Sequence, residues 1–450
     1  MALEGNRTYV GFGFGPIQAG LFLYEAFHSG GFHRLVVAEL LPQAVDAVRK
    51  AEGHFSLNIA HSERIEIAEV GPVEIENPAS EVDRQRLVEA VRVAEEIGTA
   101  LPSVQHYVSP GPGSIHRILA EGLRRKADDR GPPAVIYAAE NHNQAAEILE
   151  ASVLGEIPEG ERETVRRRVR FLNTVIGKMS GIVSDPEEVR SQGLATIAPR
   201  EQRAFLVELF NRILISRIRF DDRSAEPLFQ RGIGVFEEKD DLLPFEEAKL
   251  YGHNATHALA AYVGAVRGVA RIADLARLPD VLAFLRAAFI QESGEALIRR
   301  HGGLDPLFTP HGYEQYADDL LARMINPCLR DTVERVGRDP ERKLGWDDRL
   351  VGTMRVALQA RLRPARYAFG VAAALAVLER TRPEVGGSTA EFLGQLWRAS
   401  SPDEQEKQAV LRLIDDARCQ LKRWRECGFA HLEEFFQNDN SKPVILSASP

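Results

Sequence analysis

Two periodicities divide the chain. Toward the N-terminus short β-prone apolar runs alternate with amphipathic stretches, and after Pro244 almost every segment repeats its apolar positions every three to four residues. The run Thr8-Tyr9-Val10-Gly11-Phe12 breaks into glycines and passes into a helical pattern over 17–27. A second run, Leu35-Val36-Val37-Ala38, ends at Glu39 and is followed by an amphipathic stretch over 44–51. Further strands are expected near 104–108 and 134–138, alternating with helices over 115–126 and 144–154. Strands spaced by helices predict a parallel sheet with crossover helices. In the second half helices are expected over 255–266, 281–288, 293–300, 313–324, 351–360 and 367–380. Ser401-Pro402-Asp403-Glu404 reads as a helix start with Ser401 as the cap and proline at the first helical position, and 441–450 reads as a loose tail.

Composition narrows the class. A chain of 450 residues has room for two or three domains, and 44% hydrophobic with 27% charged residues is ordinary globular usage, which excludes a disordered or fibrous chain. Lys and Arg number 56 against 65 Asp and Glu, a net charge of -9 that argues against a surface-wide footprint for nucleic acid or anionic membrane but leaves room for a local basic pocket. Cys328, Cys419 and Cys427 are scattered without a C-x-x-C pair, so they build neither a disulfide framework nor a thiolate zinc site. No apolar run reaches the roughly 18 residues of a membrane span, and the first residues lack the pattern of a signal peptide. A cytoplasmic protein with no membrane or nucleic-acid partner is expected.

Gly11, Gly13, Gly15 and Gly20 fall where a strand hands over to a helix, and a loop without Cβ atoms lets backbone N–H groups approach a pyrophosphate. The strict G-x-G-x-x-G frame is not kept, because Gly11-x-Gly13 leads to Pro16 and Gly13-x-Gly15 leads to Gln18, and a ligand-free turn is the plainer reading of the loop alone. Glu39 changes the balance. It closes the second strand at about the spacing where a carboxylate meets the adenosine ribose hydroxyls, and Leu40-Leu41-Pro42 supplies no arginine for a 2′-phosphate, which favours NAD over NADP. The expected architecture is an α/β, doubly wound domain of the Rossmann type over 1–195 followed by a mainly α-helical domain over 196–450, with the site in the cleft between them.

Lys249, Asn254 and His257 open the helical half, with Asn254 and His257 on one helix face. A lysine whose pKa is lowered by burial can take a proton from an alcohol, while an amide and an imidazole hydrogen-bond the reacting oxygen. Judged alone, a capped helix start with a solvated lysine and a core histidine explains the same residues. His253-x3-His257 lacks the glutamate of a zinc H-E-x-x-H helix and a third ligand at telling spacing, so no metal is expected.

Lys249-x4-Asn254-x2-His257 resembles the Lys-x4-Asn-x2-His pattern of the polyol-specific long-chain dehydrogenases, the mannitol dehydrogenase family, and Gly13-Phe-Gly-Pro-Ile-Gln-Ala-Gly20 looks like that family's nucleotide loop. The similarity continues at Ala139-Glu140-Asn141, Phe171-Leu172-Asn173-Thr174, Glu292-Ser293-Gly294, Asn326-Pro327 and from Asp331 to Leu344. It implies an NAD-dependent, metal-independent oxidoreductase that reversibly oxidises a secondary alcohol of a polyol to a ketose. Lys249 is then the general base, Asn173 and Asn254 stabilise the oxyanion, His257 orients a substrate hydroxyl and Glu246 opens a proton path. The resemblance assigns the cofactor to Gly13, Phe14, Gly15, Pro16, Ile17, Glu39 and Asn141. The segment around Arg338, Arg342, Lys343 and Arg349 is similar to the hexitol-phosphate branch, whose reaction joins mannitol 1-phosphate to fructose 6-phosphate, and the four cations are read as its substrate contacts, an ordinary solvated cationic face explaining them equally well. Asn254-Ala255-Thr256-His257 looks more like the branches acting on free mannitol or on hexuronates such as altronate and mannonate. Ala19 and Gly177-Lys178 depart from the arginine and the Asp-Arg pair common in the family. A sugar-phosphate-binding protein that has lost catalysis would show a damaged Lys/Asn/His set, whereas here all of it is present.

Overall fold

A computed structural model describes residues 7–220 and 229–437. They form two units, one ending at Leu243 and the other beginning at Pro244. The first holds twelve strands among the described residues: β1 (Arg7–Phe12), β2 (Phe32–Ala38), β3 (Phe55–Ala60), β4 (Ile65–Val70), β5 (Glu74–Glu76), β6 (Glu96–Thr99), β7 (Ala134–Ala138), β8 (Val169–Ile176), β9 (Ser180–Val183), β10 (Ala204–Glu208), β11 (Ile213–Ser216) and β12 (Phe236–Lys239). The main sheet runs β12-β11-β8-β7-β6-β1-β2-β5. From β5 to β8 every neighbour is parallel, and β11 joins antiparallel to β8. Both faces are buried, as parallel strands with crossover helices require. Tyr9, Leu35, Val37 and Tyr137 enter one core, while their chain neighbours Val10, Val36, Ala38 and Ile136 enter the other. A second sheet, β4-β3-β10-β9, contributes Phe55, Leu57, Phe205 and Val207 to the first of these cores.

The doubly wound α/β arrangement is as the pattern predicts, although not every strand and boundary is. The run at 104–108 is no strand: Val104–Tyr107 is a 3-10 turn whose entry is capped by Ser103, and only Tyr107 of it is buried. The strand between β1 and β7 is instead β6, whose buried Glu96 accepts hydrogen bonds from Tyr137 Oη at 2.9 Å and from the Gly232 N–H. The division expected at 195/196 falls inside the first unit, because β10 to β12 return to complete both sheets.

In the second unit helices occupy Ala255–Arg267, Pro279–Ala287, Glu295–His301, Pro310–Met324, Val351–Gln359, Ala365–Leu378 and Glu404–Glu426. Ala365–Leu378, buried along most of its length, packs against Ala255–Arg267 and Glu404–Glu426. Its N-terminus is capped from outside the helix: the buried Glu292 accepts from the N–H groups of Arg366 at 2.8 Å and Tyr367 at 3.1 Å. The last long helix starts later than expected. Ser401 is left-handed with φ +45°, and Asp403 is the cap, accepting from the Glu406 N–H at 2.9 Å. The tail at 441–450 lies outside the described residues. Among the described residues no helix is long and apolar enough to cross a membrane.

Candidate active site

The C-terminal ends of β1, β2, β6 and β7 open on a cleft of about 900 Å³, the place where a doubly wound sheet binds its ligand. Gly13 makes the turn into it with φ +85°, and a Cβ there would stand 2.8 Å from the Ala100 carbonyl oxygen. Its N–H donates to the Ala38 carbonyl at 3.0 Å, which ties the loop to β2. The Phe14 ring turns inward and meets Phe55 and Phe205 edge-on, with centroids 5.1 and 5.4 Å away. Its N–H donates to Glu39 Oε2 at 3.0 Å, and the Leu41 N–H donates to Glu39 Oε1 at 2.8 Å. Glu39 is thereby fixed while each oxygen keeps acceptor capacity. Gly13, Phe14, Gly15, Pro16 and Ile17 line the cleft together with Glu39 and Asn141. At Gly20 a Cβ would come within 2.6 Å of Val207, so glycine lets the helical segment lie directly on β10.

Beneath Asn141, the buried Glu140 gathers three hydrogen bonds, from Thr99 Oγ1 at 3.0 Å, the Leu101 N–H at 2.9 Å and the Tyr107 hydroxyl. Burial raises its pKa, and these donors oppose the rise. This knot holds the wall made by the segment after β6. Arg203, which enters β10, also lines the cleft. A reading confined to the residues following Glu39 has no way to find it. The cleft volume lies within the roughly 300–1,000 Å³ of small-molecule and cofactor sites. The glycine turn and a carboxylate with unused acceptor sites suit a dinucleotide.

Asn173 sits in β8, paired with Ala138 at the end of β7. Its Oδ1 accepts from the Ala146 N–H at 2.9 Å and its Nδ2 donates to Glu147 at 2.8 and 3.0 Å, so the first turn of helix Ala145–Gly155 sets the amide's orientation. A substrate oxygen bound by this amide shares it with Glu147, a partner that no motif spacing points to. The two family departures are structural here. Ala19 is fully buried, and Lys178 is buried with its Nζ donating to the carbonyls of Glu208 and Phe210 and to Asn211 Oδ1.

In the second unit Lys249 lies on a wide helical turn, Ala248–Asn254, where i→i+5 bonding loosens the backbone. Its amine is lowered to about 8, first by burial and then by the Arg349 cation, with Glu246 opposing. Among the described residues the Asn254 side chain makes no hydrogen bond. His257 Nε2 is buried without a hydrogen-bond partner, 3.7 Å from Asp331 Oδ2. Burial lowers this imidazole to about 4, Asp331 opposing and Arg335, Arg349 and Lys343 adding to the fall. Asp331 is itself paired to Arg335. Lys343 is buried and lowered to about 8 by burial, then by Arg349 and Arg342. Arg349, held by Asp348 at 2.9 Å, is thus the cation common to Lys249, His257 and Lys343. Arg338 and Arg342 are exposed, Arg338 donating to the Arg335 carbonyl at 3.2 Å. An amine lowered to about 8, a free amide and a neutral imidazole, with Arg349 and Lys343 as neighbouring cations, can accept a proton and hold an oxygen of an anionic substrate. Among the described residues no three His, Cys, Asp or Glu side chains are grouped to hold a metal ion.

A family model described as the mannitol dehydrogenase C-terminal domain matches residues 241–416, most of the second unit. The chain belongs to the mannitol dehydrogenase family. It is 30% identical over 374 residues to mannitol-1-phosphate 5-dehydrogenase of Bacillus velezensis, covering 83% of this chain and 88% of that protein. The enzyme of that name from Bacillus licheniformis is 28% identical over 369 residues, covering 81% of this chain and 86% of that protein. In fold, the chain is similar to the Pseudomonas fluorescens mannitol 2-dehydrogenase structure, a ternary complex with NAD and D-mannitol, with TM-score 0.70, 14% identity and coverage of 97% of this chain and 96% of that one.

Proposed function

We propose that the chain is an NAD-dependent polyol dehydrogenase that interconverts mannitol 1-phosphate and fructose 6-phosphate. The observation that carries the reading is Lys249, an amine lowered to about 8 beside Arg349 and Glu246. The names of the Bacillus relatives support the substrate. When bound, the nicotinamide supplies the hydride acceptor. Lys249 Nζ takes the hydroxyl proton as the carbon bearing that hydroxyl gives up hydride, which leaves a ketone and a lysine ammonium. Asn254 and Asn173 donate to the oxygen as it gains carbonyl character, and the neutral His257 orients a hydroxyl through Nε2. Glu246 passes the proton from Lys249 toward solvent.

Lys343 and Arg349 take the phosphate, with Arg338 and Arg342 on the exposed side of the same segment. Charge-assisted bonds to phosphate are the strong ones, and removing one raises KM for the phosphorylated substrate by roughly 1.5–3 kcal/mol equivalent. The test compares Arg342→Gln, which removes a cation of this segment that does not act on Lys249 or His257, with the unmutated protein. Loss of kcat/KM for mannitol 1-phosphate with little change for mannitol supports the assignment, and equal loss for both defeats it. The three cysteines, unpaired in the structure, fit a reducing compartment, and the cytoplasm is the proposed location.

A further inference from the structure

We propose that Arg203 makes the cofactor cleft a latent site for the 2′-phosphate of NADP, which Glu39 keeps out. The proposal rests on the reading that this cleft binds a dinucleotide with its adenosine ribose at Glu39. Arg203 and Glu39 line the same cleft although they come from different sheets. The link between them is rigid. The Phe14 N–H donates to Glu39 at 3.0 Å, the Phe14 ring packs on Phe205 at 5.4 Å, and Phe205 stands two residues beyond Arg203 on the same strand entry. Strand β10 is in turn fixed by its parallel pairing with β3.

The guanidinium is held at one edge only. Glu201, itself nearly buried, accepts from Nε at 3.1 Å and from Nη2 at 2.9 Å. A guanidinium has five N–H donors. Among the described residues Nη1 and the second Nη2 hydrogen make no bond, and the side chain is 25% exposed. Glu39 adds to the charged form of Arg203, after the larger contribution of Glu201, so the two groups feel each other.

A ribose 2′-hydroxyl donates to a carboxylate, whereas a 2′-phosphate placed against Glu39 meets like charge. With that carboxylate removed, the same phosphate meets three unused donors on a pre-oriented cation, and guanidinium–phosphate bonds are charge-assisted. The arginine that NADP-binding sites of this fold type draw from near the ribose carboxylate would here come from the second sheet.

Fluorescence titration of NADH and NADPH tests this on the full-length protein and its Glu39→Ser, Glu39→Ser/Arg203→Gln and Glu39→Ser/Arg203→Lys variants. Glutamine keeps a donor for Glu201, and NADH affinity reports whether the cleft stays intact. The expected order is tight NADH and weak NADPH in the unmutated protein, and NADPH gained in Glu39→Ser. Adding Arg203→Gln should lose NADPH by about 10- to 100-fold while NADH changes little, with Arg203→Lys between the two. Undiminished NADPH binding in Glu39→Ser/Arg203→Gln overturns the role of Arg203. Failure of the unmutated protein to bind NADH overturns the dinucleotide reading itself, and the proposal with it.

Discussion

Lys249 is lowered to about 8, so the fraction of amine able to accept a proton climbs across mildly alkaline pH. For polyol oxidation kcat/KM should rise with pH and level off above about 8, whereas ketose reduction needs the ammonium and should fall over the same range. Lys343 titrates in that range as well. The profile of Lys343→Met therefore decides which amine is seen: a limb that persists belongs to Lys249, and a limb that vanishes belongs to Lys343. His257, lowered to about 4, stays neutral and adds no limb near neutrality. Asn254→Ala should cost about 10²–10³ in kcat, the usual loss for one oxyanion donor, and an unchanged kcat removes Asn254 from the reaction. Lys249, Asn254 and His257 were legible in the sequence through the family pattern they share, since their spacing alone is explained equally by a capped helix start. Glu147 and Arg203 were not, since each meets its partner only through strands and turns distant in the chain.

Turns and caps decide how the elements reach those positions. Gly13 has φ +85° and no room for a Cβ beside Ala100. Gly13→Ala should weaken NADH binding and lower the melting temperature, because alanine at positive φ destabilises by more than the about 0.4–1 kcal/mol such swaps otherwise gain. At the last long helix, Asp403→Ala should cost about 1 kcal/mol and Ser401→Ala almost nothing, measured by denaturant titration. The reverse order would restore Ser401 as the cap. The sequence placed the cap two residues early because Ser-Pro-Asp-Glu offers two capping residues two positions apart, and only the left-handed backbone at Ser401 excludes the first. The missed strand β6, Glu-Ile-Gly-Thr, has a charged first residue and a glycine, and its burial depends on Tyr137 and Gly232 far along the chain. The run at 104–108 looks like a strand by residue type, yet exposed Gln105 and His106 leave it no sheet to join.

Across the whole molecule the alternation of periods separated a sheet-bearing first part from a helical second part, and the family match over 241–416 falls in the helical one. The second sheet went unread. The hairpin β3–β4 meets β9 and β10 only from far along the chain, and the sheet acquires its meaning by carrying Phe55 and Phe205 to the back of the nucleotide loop. Coverage of 83% of the chain by a relative named for mannitol 1-phosphate bears on the molecule rather than on any one residue. The proposed activity is decided by the initial rate of NADH formation from NAD and mannitol 1-phosphate, taken for the unmutated protein and for Lys249→Ala. Steady NADH formation is expected, with kcat/KM above that for unphosphorylated mannitol, and loss of most of kcat in the variant. No NADH from the unmutated protein, or equal rates from the two, would contradict it.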